Sequence, residues 1–283
     1  MSNEIPRHQD PQNDWAANVP LAEGKTKVIW ETDDPSVVRV ESKSDITAGD
    51  GLKRNVIDGK DVLSTDTTSN VFTLLNEAGI YTHFLQRDTP TSFLARRADM
   101  IPLECVIRRI ATGSYIKRNP EVPEGEVLSD FPVEFYFKDD AHHDPLVEVV
   151  GDEIVLFDAK DPKNSRQPIQ LVSPDQVSVT PEELTQMRRE SQRVFEVIES
   201  AWSQQDVALV DLKIEFGKDG DGTLMVADVI DNDSWRIWPA GDKSQMLDKQ
   251  VYRNTQDPTE EDLERVRSNY QKVAEMTEEF TVK

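Results

Sequence analysis

Apolar positions along the chain fall into two periods, and each period predicts its own kind of element. Between Leu21 and Trp30 the segment KTKVIW is strand-like, and residues 37–40 supply a second short strand, so the two read as a hairpin. Over 64–78 the spacing becomes helical, with Val71, Leu75 and Ala78 on one face and Gly79 as the stop. Short apolar segments recur at 81–85, 92–95 and 105–110, and 133–137 (VEFYF) reads as a strand. Thr180 opens the clearest helix: it caps, Pro181 takes the first helical position, and Glu183 completes a capping box. Leu184, Met187, Val194, Ile198 and Ala201 give that helix its buried stripe. Two strands follow at 208–216 and 224–230, joined by an Asp/Gly hairpin turn (GKDGDG), and a last helix covers 259–280 with Leu263, Val266, Tyr270 and Val273 inward. Residues 1–18 read as a mobile tail, and the proline-broken stretch 158–176 as a long surface loop or insertion. The order predicts an α+β fold with two lobes.

Composition narrows the function. The 283 residues include 32 Lys plus Arg against 54 Asp plus Glu, a net charge of −22. This balance argues against a nucleic-acid-coating role, which needs clustered cations, but allows a small anionic ligand in a local basic pocket. The acid excess itself reads either as solubility or as adaptation to high salt, where screening relieves self-repulsion. No apolar run approaches the roughly 20 residues that cross a bilayer, so no membrane partner is expected. The N-terminus carries no apolar signal core, and a cytoplasmic protein is expected. Cys105 is the sole cysteine, which excludes an internal disulfide and a multi-cysteine metal site. His8, His83, His142 and His143 do not form a zinc set.

Four segments carry candidate chemistry. Glu23-Gly24-Lys25-Thr26-Lys27 resembles part of a P-loop, but Val19 stands where that motif needs glycine, and the text continues as a strand. It reads as an ordinary hairpin or as a glycine flap over a nucleotide. Asp45-Ile46-Thr47-Ala48-Gly49-Asp50-Gly51 allows close backbone approach to a ligand, with Asp50 as an acceptor, or is an unliganded turn. In RRIATGSYIKR, Arg108, Arg109, Lys117 and Arg118 flank a Thr-Gly-Ser turn, which suits phosphate or is a solvated basic face. Asp211, Lys213 and Glu215 alternate along one strand face and Asp228 lies on the next strand. Two carboxylates so placed suit Mg²⁺, or else a surface salt-bridge ladder.

The segments EGKTK (23–27), ITAGDG (46–51), IPLECVIRRIATGSYIKR (101–118), FKDDAHHDP (137–145), LVDLKIEFG (209–217) and ADVIDNDSWRIWP (227–239) together resemble the SAICAR synthetase family over about residues 20–253. The later segments look closer to the animal fused enzyme than to the short bacterial form, with the carboxylase domain expected to be absent. The resemblance implies a two-lobed fold with ATP in the cleft: a tail at 1–18, a nucleotide-binding lobe at 19–102 resembling the small lobe of kinases and ATP-grasp enzymes, and a substrate and metal lobe at 103–283. It implies a ligase joining L-aspartate to the carboxylate of carboxyaminoimidazole ribonucleotide through an acyl phosphate. Gly24, Lys25, Thr26, Lys27, Met100 and Leu103 would bind ATP, Glu215 and Asp228 would hold Mg²⁺, and Lys213 would sit at the transferring phosphoryl group with Asp211 orienting it. Asp50, Arg108, Ser114, Lys138, Asp140, Asp144 and Arg236 fall on the substrate side. A homo-oligomer is compatible with this reading. The competing classes are a small-molecule phosphotransferase and a non-catalytic nucleotide-binding module.

Overall fold

The computed structural model describes residues 19–49, 52–139 and 142–282, so the 1–18 tail, Asp50 and Asp140 lie outside the described residues. In chain order, β1 (Ala22–Glu23), β2 (Lys27–Glu31) and β3 (Val37–Ser42) precede a small hairpin, β4 (Asp45–Ala48) and β5 (Lys53–Val56). Helix α1 (Lys60–Glu77), β6 (Phe84–Thr89) and β7 (Ser92–Arg96) complete the first lobe. The second begins with β8 (Asp99–Arg108), α2 (Ser114–Arg118), β9 (Val133–Phe137), β10 (Leu146–Val150), β11 (Glu153–Phe157), β12 (Pro168–Val172) and α3 (Pro174–Val177). It ends with α4 (Pro181–Ser203), β13 (Val207–Lys218), β14 (Leu224–Ala227), β15 (Trp235–Pro239), α5 (Gln250–Asn254) and α6 (Glu260–Glu278).

Two antiparallel sheets result, one ordered β1-β2-β3-β7-β6 and one ordered β12-β11-β10-β9-β8-β13-β14, with β15 also on β13. The expected hairpin is β2 on β3, in register Lys27↔Ser42 to Glu31↔Val38. The alternation of 211–216 holds: Leu212, Ile214 and Phe216 are at most 1% exposed and face the core. Beneath them α4 lays Met187, Val194, Phe195, Ile198 and Trp202, all fully buried, and one apolar cluster runs on from there to Phe72 of α1 and to Val38 and Phe93 of the first sheet. The capping box at Thr180 forms in both directions.

Four sequence expectations shift. Helix α1 starts at Lys60 rather than 64, because Gly59 at φ 76° turns the chain into the helix and the polar Lys60-Asp61 pair hides the start. The segment 81–83 is not the start of β6. It bridges to the other lobe instead, with His83 N donating to Val226 O (2.9 Å) and Val226 N to Tyr81 O (3.0 Å). The 158–176 stretch contains β12 and α3, whose prolines sit at an edge-strand start and a first helical turn, where a missing N–H costs nothing. The strand after the Asp/Gly turn stops at Ala227, because Asp228 adopts φ 69°.

Two features fix one lobe against the other. Gly217 lies where β13 passes the connection into β8: a Cβ there would meet Ala98 Cβ at 2.9 Å and Asp99 O at 3.3 Å. Lys60, 1% exposed, sits behind the 228–234 loop, where its charge acts on both Asp231 and Asp233; it donates to Ser64 Oγ (3.3 Å) and lies 5.2 Å from the Tyr270 ring centre. Burial, then the charge of Asp233, pushes the Asp231 carboxyl above its ordinary range against the pull of Lys60. Burial opposes ionisation of Asp233 too, but Lys249, Lys60 and the Tyr270 hydroxyl (2.9 Å) outweigh it and keep this carboxyl low.

Gly217→Ala is expected to cost about 1–3 kcal/mol by overpacking a site whose neighbours include backbone, read as a lower midpoint in chemical denaturation. Lys60→Met removes the ammonium that acts on the buried Asp231, while Asp233 keeps Lys249 and Tyr270, and is expected to cost about 3 kcal/mol at pH 7. A carboxyl whose folded pKa is raised binds its proton more tightly when folded, so folding gains as pH falls toward that pKa. The Lys60→Met deficit should therefore shrink at pH 5; an equal deficit at pH 5 and pH 7 would contradict the charge account.

Candidate active site

Strand β13 organises the site because the elements around it bring cations to its acids, two of them directly across from Asp211. Asp211 stands opposite Arg108 of β8 and Arg236 of β15. Its Oδ2 accepts from Arg236 Nη1 (2.7 Å) and Arg108 Nη1 (3.2 Å). Arg108 is 3% exposed and also donates to Glu134 Oε2 (2.6 Å), Ser114 Oγ (3.3 Å) and the Tyr136 hydroxyl (3.3 Å). Burial works against its charge, yet Glu134 and Asp211 hold its pKa above the ordinary arginine value. Arg236 lies across Gly113, whose φ of 60° and whose place, with a notional Cβ 2.9 Å from Arg236 Nη1, both call for glycine.

Four residues further along β13, the partners are lysines. Glu215 (3% exposed) accepts from Lys213 Nζ (2.8 Å) and Lys138 Nζ (2.5 Å). Burial would raise this carboxyl, but Lys213, Lys138 and Lys27 overcome it and hold it at about 2. Asp228 pairs with Lys27 from β2, and Lys213 Nζ is 3.9 Å from the same carboxylate and 3.6 Å from Glu104. Lys213 is desolvated, yet Glu215 and Glu104 hold its pKa above the ordinary lysine value. Lys27 has the opposite balance: burial, reinforced by Lys213 and Lys138, pushes it down to about 8 against the pull of Glu215.

The arginine cluster and Lys213 line one cavity of about 500 Å³, whose lining also includes Glu104, Ser114, Asp144, Asp233, Lys249 and Arg253. Its cations suit an anionic ligand of metabolite size. Glu215 and Asp228 could hold a divalent cation. Both are hard oxygen donors, and Asp228 directly follows Ala227, the residue paired with Glu215 across β13 and β14. Three carboxylates here, Glu104, Glu215 and Asp228, already face three ammonium groups, Lys27, Lys138 and Lys213. A polyanion entering this balanced set calls for an added cation, and the donor set fits Mg²⁺.

Several expected residues land elsewhere. Asp211 engages the two arginines that stand opposite it on β8 and β15, while Lys213 turns to Glu215 on its other side. Of the four cations around the Thr-Gly-Ser turn, only Arg108 and Arg118 line the cavity. Arg109 alternates to the other face and pairs with Glu199, and Lys117 is exposed. Leu103 is fully buried in the core, whereas Met100, 44% exposed, faces out. Lys25 is exposed, and Gly24 closes its turn through its N–H to Lys27 O (2.9 Å), with Lys43 N donating to Thr26 O (2.7 Å). Asp144 accepts from Asp139 N (3.0 Å) at the cavity edge. Sequence reasoning missed Glu104, Asp233, Lys249 and Arg253. Glu104 was legible from its alternation with Leu103 and Cys105, but Lys249 and Arg253 belong to a helix too short to show a period.

Comparison with known proteins agrees with this arrangement. The SAICAR synthetase profile matches residues 20–276. A Roseiflexus sp. protein, phosphoribosylaminoimidazole-succinocarboxamide synthase, is 51% identical over 91% of this chain and 96% of its own length. The bifunctional carboxylase/succinocarboxamide synthetase of Drosophila melanogaster is 44% identical over 93% of this chain and 58% of its own. The bacterial and the fused animal enzyme are thus both relatives, and the identities do not favour the animal one. A solved SAICAR synthetase in complex with ADP superposes with a TM-score of 0.75 at 30% identity, covering 90% of this chain and 96% of that one. The two-sheet frame, the charged strand between its arginine and lysine neighbours, and these matches converge: the chain belongs to the SAICAR synthetase family.

Proposed function

We propose that the protein is an ATP-dependent ligase that joins L-aspartate to the carboxylate of carboxyaminoimidazole ribonucleotide, forming the succinocarboxamide product, ADP and phosphate in purine biosynthesis. The observation that carries this reading is the division of β13 into an end at Asp211 held by two arginines, which lines the cavity, and an end at Glu215 held by lysines, joined to that cavity through Lys213. Fixed guanidinium forks suit the ribonucleotide phosphate, and ammonium groups suit phosphates that change position during transfer.

In this reading Arg108, Ser114 and Arg236 hold the ribonucleotide, with Asp211 fixing both arginines. Lys27, beside the Gly24 turn, and Lys213 lie along the ATP phosphates, and Met100 lies against the base. Lys138 and Asp144 close the substrate side. A carboxylate oxygen of the ribonucleotide attacks the γ-phosphorus and ADP leaves, giving an acyl phosphate. The aspartate amine then attacks the acyl carbon, phosphate departs, and the amine loses a proton. Activation is needed because an oxide is a poor leaving group and phosphate a good one. The protein's contribution is positioning and neutralisation of the charge that develops. Mg²⁺ held by Glu215 and Asp228 would supply further neutralisation at the phosphates.

Turnover should require Mg·ATP, the ribonucleotide and L-aspartate together, with the succinocarboxamide accumulating at the rate ADP appears. ADP release in the absence of aspartate would instead indicate a phosphotransferase, and ATP binding with no turnover a binding module. Arg236→Ala should raise KM for the ribonucleotide roughly 10- to 100-fold with a smaller change in kcat, because it removes a contact made equally in ground and transition states. A rise confined to the KM for ATP would place Arg236 wrongly.

A further inference from the structure

A second cavity, of about 520 Å³, lies behind the first, between α2, β9, β10 and α4. Its charged lining comprises Arg118, Lys163, Arg166 and Arg188 against Asp130, Glu134 and Glu148. In a chain carrying −22 this local excess of cations is unusual. The acids are unequally committed. Glu134 is taken by Arg108 and Arg118, and Glu148 by Arg166, whose guanidinium lies 4.3 Å from the Phe157 ring centre.

Two cations, Arg188 and Lys163, then face the one remaining acid of the lining, Asp130. Among the described residues neither Arg188 nor Lys163 has a carboxylate within salt-bridge distance. Arg188 donates only to the Val133 carbonyl (2.6 Å) and lies 5.0 Å from the Phe135 ring centre. The acid whose charge reaches Arg188 is Glu148, already held by Arg166. Lys163 is docked beside α2 by its backbone, with Lys163 N donating to Arg118 O (2.8 Å). Arg188 and Lys163, with Arg118 and Arg166 beside them already held by carboxylates, suit the several oxygens of a phosphate group better than a single carboxylate. On the rim, Phe131 is held at φ 46°, an uncommon backbone for an aromatic residue, by Gln192 donating to the carbonyls of Asp130 and Phe131 (3.2 Å each).

We propose that this cavity is a binding site for a small phosphomonoester, a sugar phosphate or nucleotide, and that its occupancy is transmitted to the ribonucleotide site through Arg118, Glu134 and Arg108. The route is short. Arg118 lines both cavities and donates to Glu134 Oε1 from Nη2 (2.6 Å) and Nε (3.2 Å). The other oxygen of the same carboxylate accepts from Arg108 Nε (2.6 Å). A phosphate that draws Arg118 toward Arg188 leaves Glu134 to Arg108 alone and changes how firmly Arg108 is held. By linkage, the ribonucleotide then alters phosphomonoester affinity by the same factor. The binding half is independent of the ligase reading, and the coupling half rests on it.

The test is calorimetric titration of the whole protein with ribose 5-phosphate, comparing wild type, the double variant Lys163→Gln/Arg188→Gln, and Arg236→Ala. The double variant should bind one equivalent fewer than wild type while keeping its melting temperature and its turnover without ribose 5-phosphate. Arg236→Ala should retain the equivalent that the double variant loses. Equal stoichiometry in wild type and double variant, including no binding to either, would overturn the site. For the coupling, ribose 5-phosphate should shift KM for the ribonucleotide at least threefold more or less in wild type than in the double variant. Competition at the catalytic cavity is common to both proteins, so an identical shift would overturn the coupling.

Discussion

Two carboxylates on one buried strand set the terms for everything around them. Asp211 and Glu215 are 7% and 3% exposed, and an ionised carboxylate so far from water is unfavourable by several kcal/mol unless cations stand against it. The surrounding elements are those that deliver the cations: β8 and β15 bring arginines to Asp211, and β13 itself, the segment after β9 and β2 bring lysines to Glu215 and its neighbour Asp228. The two ends differ in kind. Guanidinium groups fixed by several hydrogen bonds keep one geometry, while ammonium groups on flexible stems can exchange a carboxylate for a phosphate with little rearrangement. A substrate that stays put and a phosphoryl group that moves therefore find suitable partners four residues apart.

The overall charge of the chain works against its own site, and the fold resolves the conflict by depth. An exterior carrying −22 repels anionic substrates over roughly 10 Å at 0.1 M salt, beyond which screening removes the effect. Inside the cavity arginines and lysines outnumber the acids of the lining, and low dielectric makes these near charges count for more than the distant surface acids. Capture of substrate thus depends on ionic strength far more than the chemistry inside does. The acid excess is compatible with solubility at ordinary salt and with a salt-rich setting alike, because both leave the cavity field unchanged.

Much of this architecture was legible in the sequence where local rules dominate. The Thr180 capping box, the β2–β3 hairpin and the alternation of 211–216 obey short-range geometry, and each appears as expected. What stayed hidden depends on contacts distant in sequence. Lys60 falls before the helix expected from position 64, yet it begins that helix and is buried, where its charge acts on Asp231 about 170 positions later. The partners of Asp211 could not be inferred from β13 alone, since they come from strands on either side. Leu103 shares a motif with ligand-facing residues but points the other way, a consequence of strand period that motif matching ignores.

The position of Asp228 shows how closely lobe geometry and site chemistry are joined. Strand β14 is paired on one edge with β13, through Glu215↔Ala227, and on the other with residues 81–83 of the first lobe. Asp228 follows directly, at φ 69°, a conformation that costs a non-glycine residue of order 1 kcal/mol and persists only where the surroundings enforce it. Its partner Lys27 comes from the opposite lobe, so this ion pair spans the cleft. In the proposed reaction a nucleotide phosphate would take the place of Asp228 at Lys27, and Asp228 with Glu215 would hold a divalent cation that neutralises the phosphates. The backbone at Asp228 keeps its carboxylate where Lys27 now pairs with it and where, in that reaction, such a cation would be held.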